Sequence, residues 1–69
     1  MKDAHGTAIK PGSTLKRVVD GAATSVGYEY QVIQYDFEND TEGKDLVADG
    51  GFIKELITAE RAREYEVIK

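Results

Sequence analysis

The ten residues Tyr28-Glu29-Tyr30-Gln31-Val32-Ile33-Gln34-Tyr35-Asp36-Phe37 constrain this chain more than any others. Tyr, Val, Ile and Phe alternate there with polar residues, the period-two pattern of a half-buried β-strand. The parity changes midway: Tyr28, Tyr30 and Val32 fall on one face, whereas Ile33, Tyr35 and Phe37 fall on the other. Successive side chains of a strand point to opposite faces, so a flat strand leaves one set outside. A bulge or sharp bend near Val32-Ile33 would bring both sets to one core, as where a strand coils around a small barrel. Four of the six aromatic residues of this tryptophan-free chain lie in the segment. Tyr28, Tyr30, Tyr35 and Phe37 are therefore expected in the core, or, without the bend, as an exposed aromatic patch.

The glycines divide the remainder into short β-prone runs. Residues 1–9 read as a flexible polar leader, and residues 10–69 as a single domain. Lys10-Pro11-Gly12-Ser13 is a turn, Leu15 to Val19 a strand ended by Asp20-Gly21, and residues 22–27 a loop. Residues 38–45 contain no apolar side chain and form an exposed turn. Leu46-Val47-Ala48 and Phe52 to Ile57, joined through Asp49-Gly50-Gly51, read as a hairpin. The preferred reading then places one helical turn over Thr58 to Arg63 and a last strand over Tyr65 to Ile68. Phe52, Ile53, Leu56, Ile57 and Ala59 also fit helical spacing, so the alternative is an α+β fold with a three- or four-stranded sheet and a helix over about 52–64. Glu29-Tyr30-Gln31-Val32-Ile33-Gln34 and Glu64-Tyr65-Glu66-Val67-Ile68-Lys69 match at four of six positions, which favours strand at both places.

The chain has 69 residues, no cysteine and one histidine. A domain of this mass buries only about 60% of the surface its unfolded chain exposes and is expected to retain roughly 4,300 Å². Disulfides and thiolate zinc sites are excluded as sources of extra stability. No apolar run exceeds three residues, so no membrane span is expected, and the amino-terminal residues lack the apolar centre of a secretory signal. The expected compartment is the cytoplasm. The net charge of −4 is uneven: residues 36–69 carry 5 basic and 10 acidic groups, against 4 and 3 in residues 1–35. Such a balance disfavours non-specific binding to nucleic acid.

Motifs for chemistry fail on inspection. Asp36, Glu38 and Asp40 alternate as in a calcium loop, but the sixth and twelfth positions, which need Gly and Glu, are Thr41 and Val47. Gly43-Lys44 lacks the phosphate-loop glycine five positions earlier, where Glu38 stands. The only imidazole, His5, is in the leader, and Ser13, Thr14, Thr24 and Ser25 lie in turn-like segments where hydroxyls cap or close turns. A general base must be held within about 3 Å of its target. No catalytic residue, metal site or cofactor is expected, and the chain is read as a non-enzyme.

The order of elements, from Lys10-Pro11-Gly12 through Glu29-Tyr30-Gln31-Val32-Ile33 and Leu46-Val47-Ala48-Asp49-Gly50-Gly51 to Tyr65-Glu66-Val67-Ile68, resembles the small SH3-like barrel proteins of phages and bacteria. Tyr35-Asp36-Phe37-Glu38, with Thr41-Glu42 and Asp45-Leu46, also looks like the opening motif of eukaryotic SH3 domains. The absence of tryptophan and the single proline, Pro11, depart from that family's polyproline groove. The resemblance implies a mostly β fold: a small SH3-like barrel of about five strands with one short helical turn before the last. It also implies a partner-binding role. The leading expectation is a phage or mobile-element protein binding a host protein through an acidic and aromatic face, with Tyr28, Tyr30, Tyr35, Asp36, Phe37, Glu38, Asp40 and Glu42 as contacts. The alternatives are a nucleic-acid-binding barrel using Lys10, Lys16, Arg17 and Lys44, and a structural or assembly protein of a virion.

Overall fold

The computed structural model describes residues 1–69 as a mostly β protein. Its elements are β1 (Thr14–Arg17), β2 (Glu29–Asp36), β3 (Thr41–Glu42), β4 (Asp45–Asp49), β5 (Lys54–Leu56), a 3-10 turn (Arg61–Glu64) and β6 (Tyr65–Val67). All pairings are antiparallel, in the order β5-β4-β2-β1-β6, with β3 on β2. The accessible surface of 4395 Å² is close to the value expected from mass alone. No helix is long and apolar enough to cross a membrane.

β2 carries no bulge at Val32-Ile33 in its pairing with β4. Its pairing with β4 runs without interruption from Gln31 opposite Asp49 to Tyr35 opposite Asp45. The irregularity lies instead on the partner strand. Tyr35 stands opposite both Glu42 of β3 and Asp45 of β4, so these are two lengths of one strand separated by a bulge at Gly43-Lys44. Gly43 is required there, since a Cβ on it would sit 2.6 Å from Cβ of Asp36. With β2 regular, Tyr30 and Val32 enter the core and Ile33, Tyr35 and Phe37 remain on the outer face.

The core comprises Ile9, Leu15, Tyr30, Val32, Ala48, Ile57, Ala62 and Tyr65. Its composition follows from register. Leu15 stands opposite Tyr30 on one side and Val67 on the other, and Arg17 stands opposite Tyr65. The two echoing segments thus flank the same strand, and their tyrosines meet edge to face with ring centroids 5.4 Å apart.

The helix over 52–64 is not formed. Gly50-Gly51 closes a tight hairpin in which Gly51 adopts a φ of 92° and its N–H donates to the Asp49 carboxylate. The chain then pairs with β4 through the Ile57 N–H, which donates to the Leu46 carbonyl. Thr58 starts the 3-10 turn, its Oγ1 accepting from the Arg61 N–H and its carbonyl from the Ala62 N–H. Residues 1–9, expected as a flexible leader, are mostly exposed but are tied to the sheet through Asp3, Ala4 and Ile9. Lys2 bridges to Ala8, Ile9 joins the core, and the buried Asp3 carboxylate accepts from the N–H groups of His5, Thr7 and Val67. Its hydrogen bond to Val67 spans nearly the whole sequence.

Candidate functional site

Two regions concentrate side-chain chemistry. The first is inside the curled sheet. Arg17, only 5% exposed, projects inward from β1 with the parity of Leu15. Its Nε donates to the Tyr30 hydroxyl at 3.0 Å, one terminal nitrogen to Glu64 at 2.8 Å, and the other to Glu55 at 2.8 Å. Glu55 also accepts from the hydroxyls of Tyr30 and Tyr65. The Thr24 hydroxyl, from the loop after β1, completes the set by bonding to the Tyr30 oxygen. The Tyr65 ring lies under the guanidinium, 5.1 Å from centroid to Cζ. The Gly21 backbone lies so close to the guanidinium that a Cβ there would come within 2.4 Å of Cζ. No buried side-chain polar atom in the protein lacks a partner.

The electrostatics fix the protons of this cluster. Burial raises the Glu55 carboxyl, but the hydrogen bonds from Tyr65, Arg17 and Tyr30, together with the Arg17 charge, outweigh it and hold the group below the ordinary glutamate range. Burial pushes the Tyr65 and Tyr30 phenols up, and the Glu55 charge adds to the shift. Burial works against the Arg17 charge, yet the bonds to Glu64, Tyr30 and Glu55 leave the guanidinium still harder to deprotonate than usual. The shifts of Arg17, Glu55, Tyr30 and Tyr65 therefore all lie away from neutrality. Beside the cluster a cleft of about 300 Å³ opens between β5 and the segments carrying Ala22-Ala23 and Arg61.

The second region is the outer face of β2, β4 and β5. Val47 stands in this ladder between Ile33 and Leu56 and is fully buried although it lies outside the main core. The Lys54 ammonium reaches across β4 to the Tyr35 ring, 5.3 Å from its centroid, so the lysine stem passes over the column holding Val47. Tyr35 and Phe37 pair edge to face at 5.2 Å, and Phe37 remains 46% exposed. Asp36 shapes the adjoining turn, accepting from the N–H groups of Glu38 and Asn39 and from the Asn39 side chain; these bonds hold its carboxyl below the usual aspartate range. Glu38, Asp40 and Glu42 are exposed around the aromatic pair, with Asp40 at a φ of 52°.

The structure gathers Tyr35, Asp36, Phe37, Glu38, Asp40 and Glu42 at one end of the molecule. It separates the other two proposed contacts from them. Tyr30 is 1% exposed and belongs to the inner cluster; Tyr28 is half-buried, donates to the Gly50 carbonyl at 2.5 Å, and packs edge to face against the exposed Phe52. The basic set is not assembled either. Arg17 is buried in the ion pairs above, Lys16 stands between Glu29 and Glu66 on neighbouring strands, and Lys10 and Lys44 occupy separate turns. No group of three or more His, Asp or Glu side chains is arranged to hold a metal ion.

The Arg17–Glu55 cluster was missed from sequence, although a signal for it existed. Arg17 shares the parity of Leu15, and Glu55 shares that of Ile53 and Ile57, so two opposite charges occupy inward positions. Searches of protein-family models, curated proteins and solved structures found no match to this chain.

Proposed function

We propose that this chain is a non-enzymatic protein-interaction module, a small barrel of SH3-like kind, whose partner-contact face is the Tyr35–Phe37 pair with its carboxylate rim. The observation that carries the reading is Phe37: a large aromatic side chain nearly half exposed, held by Tyr35 and bordered by Glu38, Asp40 and Glu42. Rigid aromatics in a polar rim bury large area on binding with little loss of side-chain freedom. The rim charge favours a basic partner surface, for which it would raise the association rate and set orientation.

The inner cluster supports the non-enzymatic part of this reading. General acid–base work is best served by groups that titrate near the working pH, whereas Glu55, Tyr30 and Tyr65 are all displaced away from neutrality. The burial of Arg17 and the position of Lys16 between Glu29 and Glu66 weigh against the nucleic-acid alternative.

The test is capture of partners from host extract by the full chain, compared with Phe37→Ser and with Glu38→Gln/Asp40→Asn/Glu42→Gln. Asp36 is left intact because it shapes the turn. The expected result is loss of the same partner by both variants with the fold retained. Undiminished capture by both would sink the proposal.

A further inference from the structure

The sheet has two edges, and the chain treats them differently. At β6 the outer edge is occupied: the Ala4 N–H donates to the Tyr65 carbonyl at 2.9 Å, and the Val67 N–H to the Asp3 carboxylate at 2.7 Å. At β5 the edge is open. The Gly50 N–H bonds to the Ile53 carbonyl at 2.8 Å and the Ile57 N–H to the Leu46 carbonyl at 3.0 Å, which turns the main-chain groups of Ile53, Glu55 and Ile57 toward β4. Main-chain groups alternate sides along an antiparallel strand, so the N–H and C=O of Lys54 and Leu56 point the other way. No strand pairs with β5 on that side.

The cleft of about 300 Å³ lies along this edge. Four consecutive residues, Ile53 to Leu56, line it. A cleft on one face of a strand meets every second residue, so an unbroken run of four means that the space follows the backbone itself. Ala22 and Ala23 form its far wall, with the 3-10 turn at one side. Edge strands are commonly guarded by a lysine. Here Lys54 lines the cleft, but its ammonium is turned to the Tyr35 ring on the outer face.

We propose that this cleft takes an extended segment of a partner protein, which adds to the sheet as a strand beside β5. The incoming main chain bonds to the N–H and C=O groups of Lys54 and Leu56. Its inward side chain is small, because it meets the methyl groups of Ala22 and Ala23, and not basic, because Arg61, which makes no ion pair, lines the cleft beside the already matched Arg17–Glu55 pair. A second copy of this chain fits less well. Its own β5 stands behind the same Ala22-Ala23 wall, and edge-to-edge pairing would drive the two walls together. The site is independent of the aromatic face at Phe37.

The experiment selects binders to the full chain from a displayed library of random peptides and reads amide hydrogen exchange by NMR. The Lys54 and Leu56 amides are expected to exchange rapidly in the free protein and to be protected in the complex. Leu56→Pro removes a donor on the side facing away from β4, where an edge strand tolerates proline, and should weaken binding about tenfold, the worth of one well-made hydrogen bond. Ala23→Trp blocks the cleft from the opposite wall with β5 untouched, and it decides the matter alone should the proline variant fail to fold. The proposal is overturned by a library that yields no binder, by peptides that leave both amides unprotected, or by unchanged binding to Ala23→Trp. Peptides docking at Phe37 fall in the second group, and would support the aromatic face while removing this one. A dimer that protects the same amides as concentration rises would assign the edge to a second copy and likewise overturn the proposal.

Discussion

The inner face of β2 joins the hydrophobic core to a closed polar cluster, whereas its outer face carries the exposed Glu29 and Gln31 beside a partly open apolar column. Inside, beside Leu15 and Val32, the Tyr30 hydroxyl of the strand meets a guanidinium, a carboxylate and the Thr24 hydroxyl; outside it presents Ile33, Tyr35 and then Phe37. The inner groups are charged but closed, each donor and acceptor having its partner. The outer apolar groups are open at one end, where Phe37 packs on Tyr35 but stays 46% exposed. The difference teaches that polarity alone does not locate a functional surface in this molecule. Open contact guides the two proposals instead, at the outer aromatic end and along the edge of β5.

The strongest way to break this comparison is Glu55→Ala. Removing one partner of a buried ion pair costs about 3–5 kcal/mol because the other charge is left unmatched. A chain of this size has a total stability on the order of 3–10 kcal/mol, so the variant is expected to be largely unfolded by circular dichroism at room temperature. Replacing both Arg17 and Glu55 by Met should restore part of the loss, and a double variant no more stable than either single would contradict the closed-cluster account. Gly21→Ala comes next. It forces the Arg17 guanidinium aside and should cost about 1–3 kcal/mol in urea unfolding, the usual range for overpacking; no change would mean that the loop does not clamp the arginine.

The pH dependence has a defined sign at each end. Glu55 and Asp3 titrate below their ordinary values in the folded chain, so their stabilisation is complete above about pH 5 and is lost as pH falls through the folded values. Tyr30 and Tyr65 titrate above theirs. Their contribution is present below the ordinary phenol value of about 10 and is lost as pH rises through the folded ones. The melting temperature should therefore show a plateau between these limits; a sharp optimum near pH 7 would be inconsistent with it. The smallest effect on folding is expected for Phe37→Ser, within about 0.5 kcal/mol as for other exposed positions. A large loss there would show that Phe37 is a structural residue and sharpen the comparison against the proposed contact face.

The strands were legible where pattern is local. The alternation in 28–37 marks β2, the repeated Glu-Tyr-x-Val-Ile marks β6, and Asp49-Gly50-Gly51 marks the hairpin between β4 and β5. The placement of the bulge was not legible, because the parity change in β2 shows that something is irregular without saying which strand absorbs it. Gly43-Lys44 absorbs it, so β2 stays regular and the second aromatic set stays outside. The role of Asp3 was hidden for another reason: its decisive partner, Val67, is 64 residues away, and no local periodicity reports such a contact. Of the candidate contacts, the acidic and aromatic run was readable from composition. The exclusion of Tyr30 depended on its hydroxyl reaching Glu55, a contact between strands that are not neighbours in the sheet.

That long-range tie at Asp3 also makes the backbone a nearly closed ring. Residue 3 bonds to residue 67, and residue 14 exchanges main-chain hydrogen bonds with residues 68 and 69. A short linker could join the two ends of this segment, and new ends could be opened in the exposed turn at residues 38–40 without cutting any ladder of the sheet. Such a permuted chain would keep both the Arg17 cluster and the β5 edge while dividing the aromatic turn, separating in one molecule the two surfaces proposed for partners.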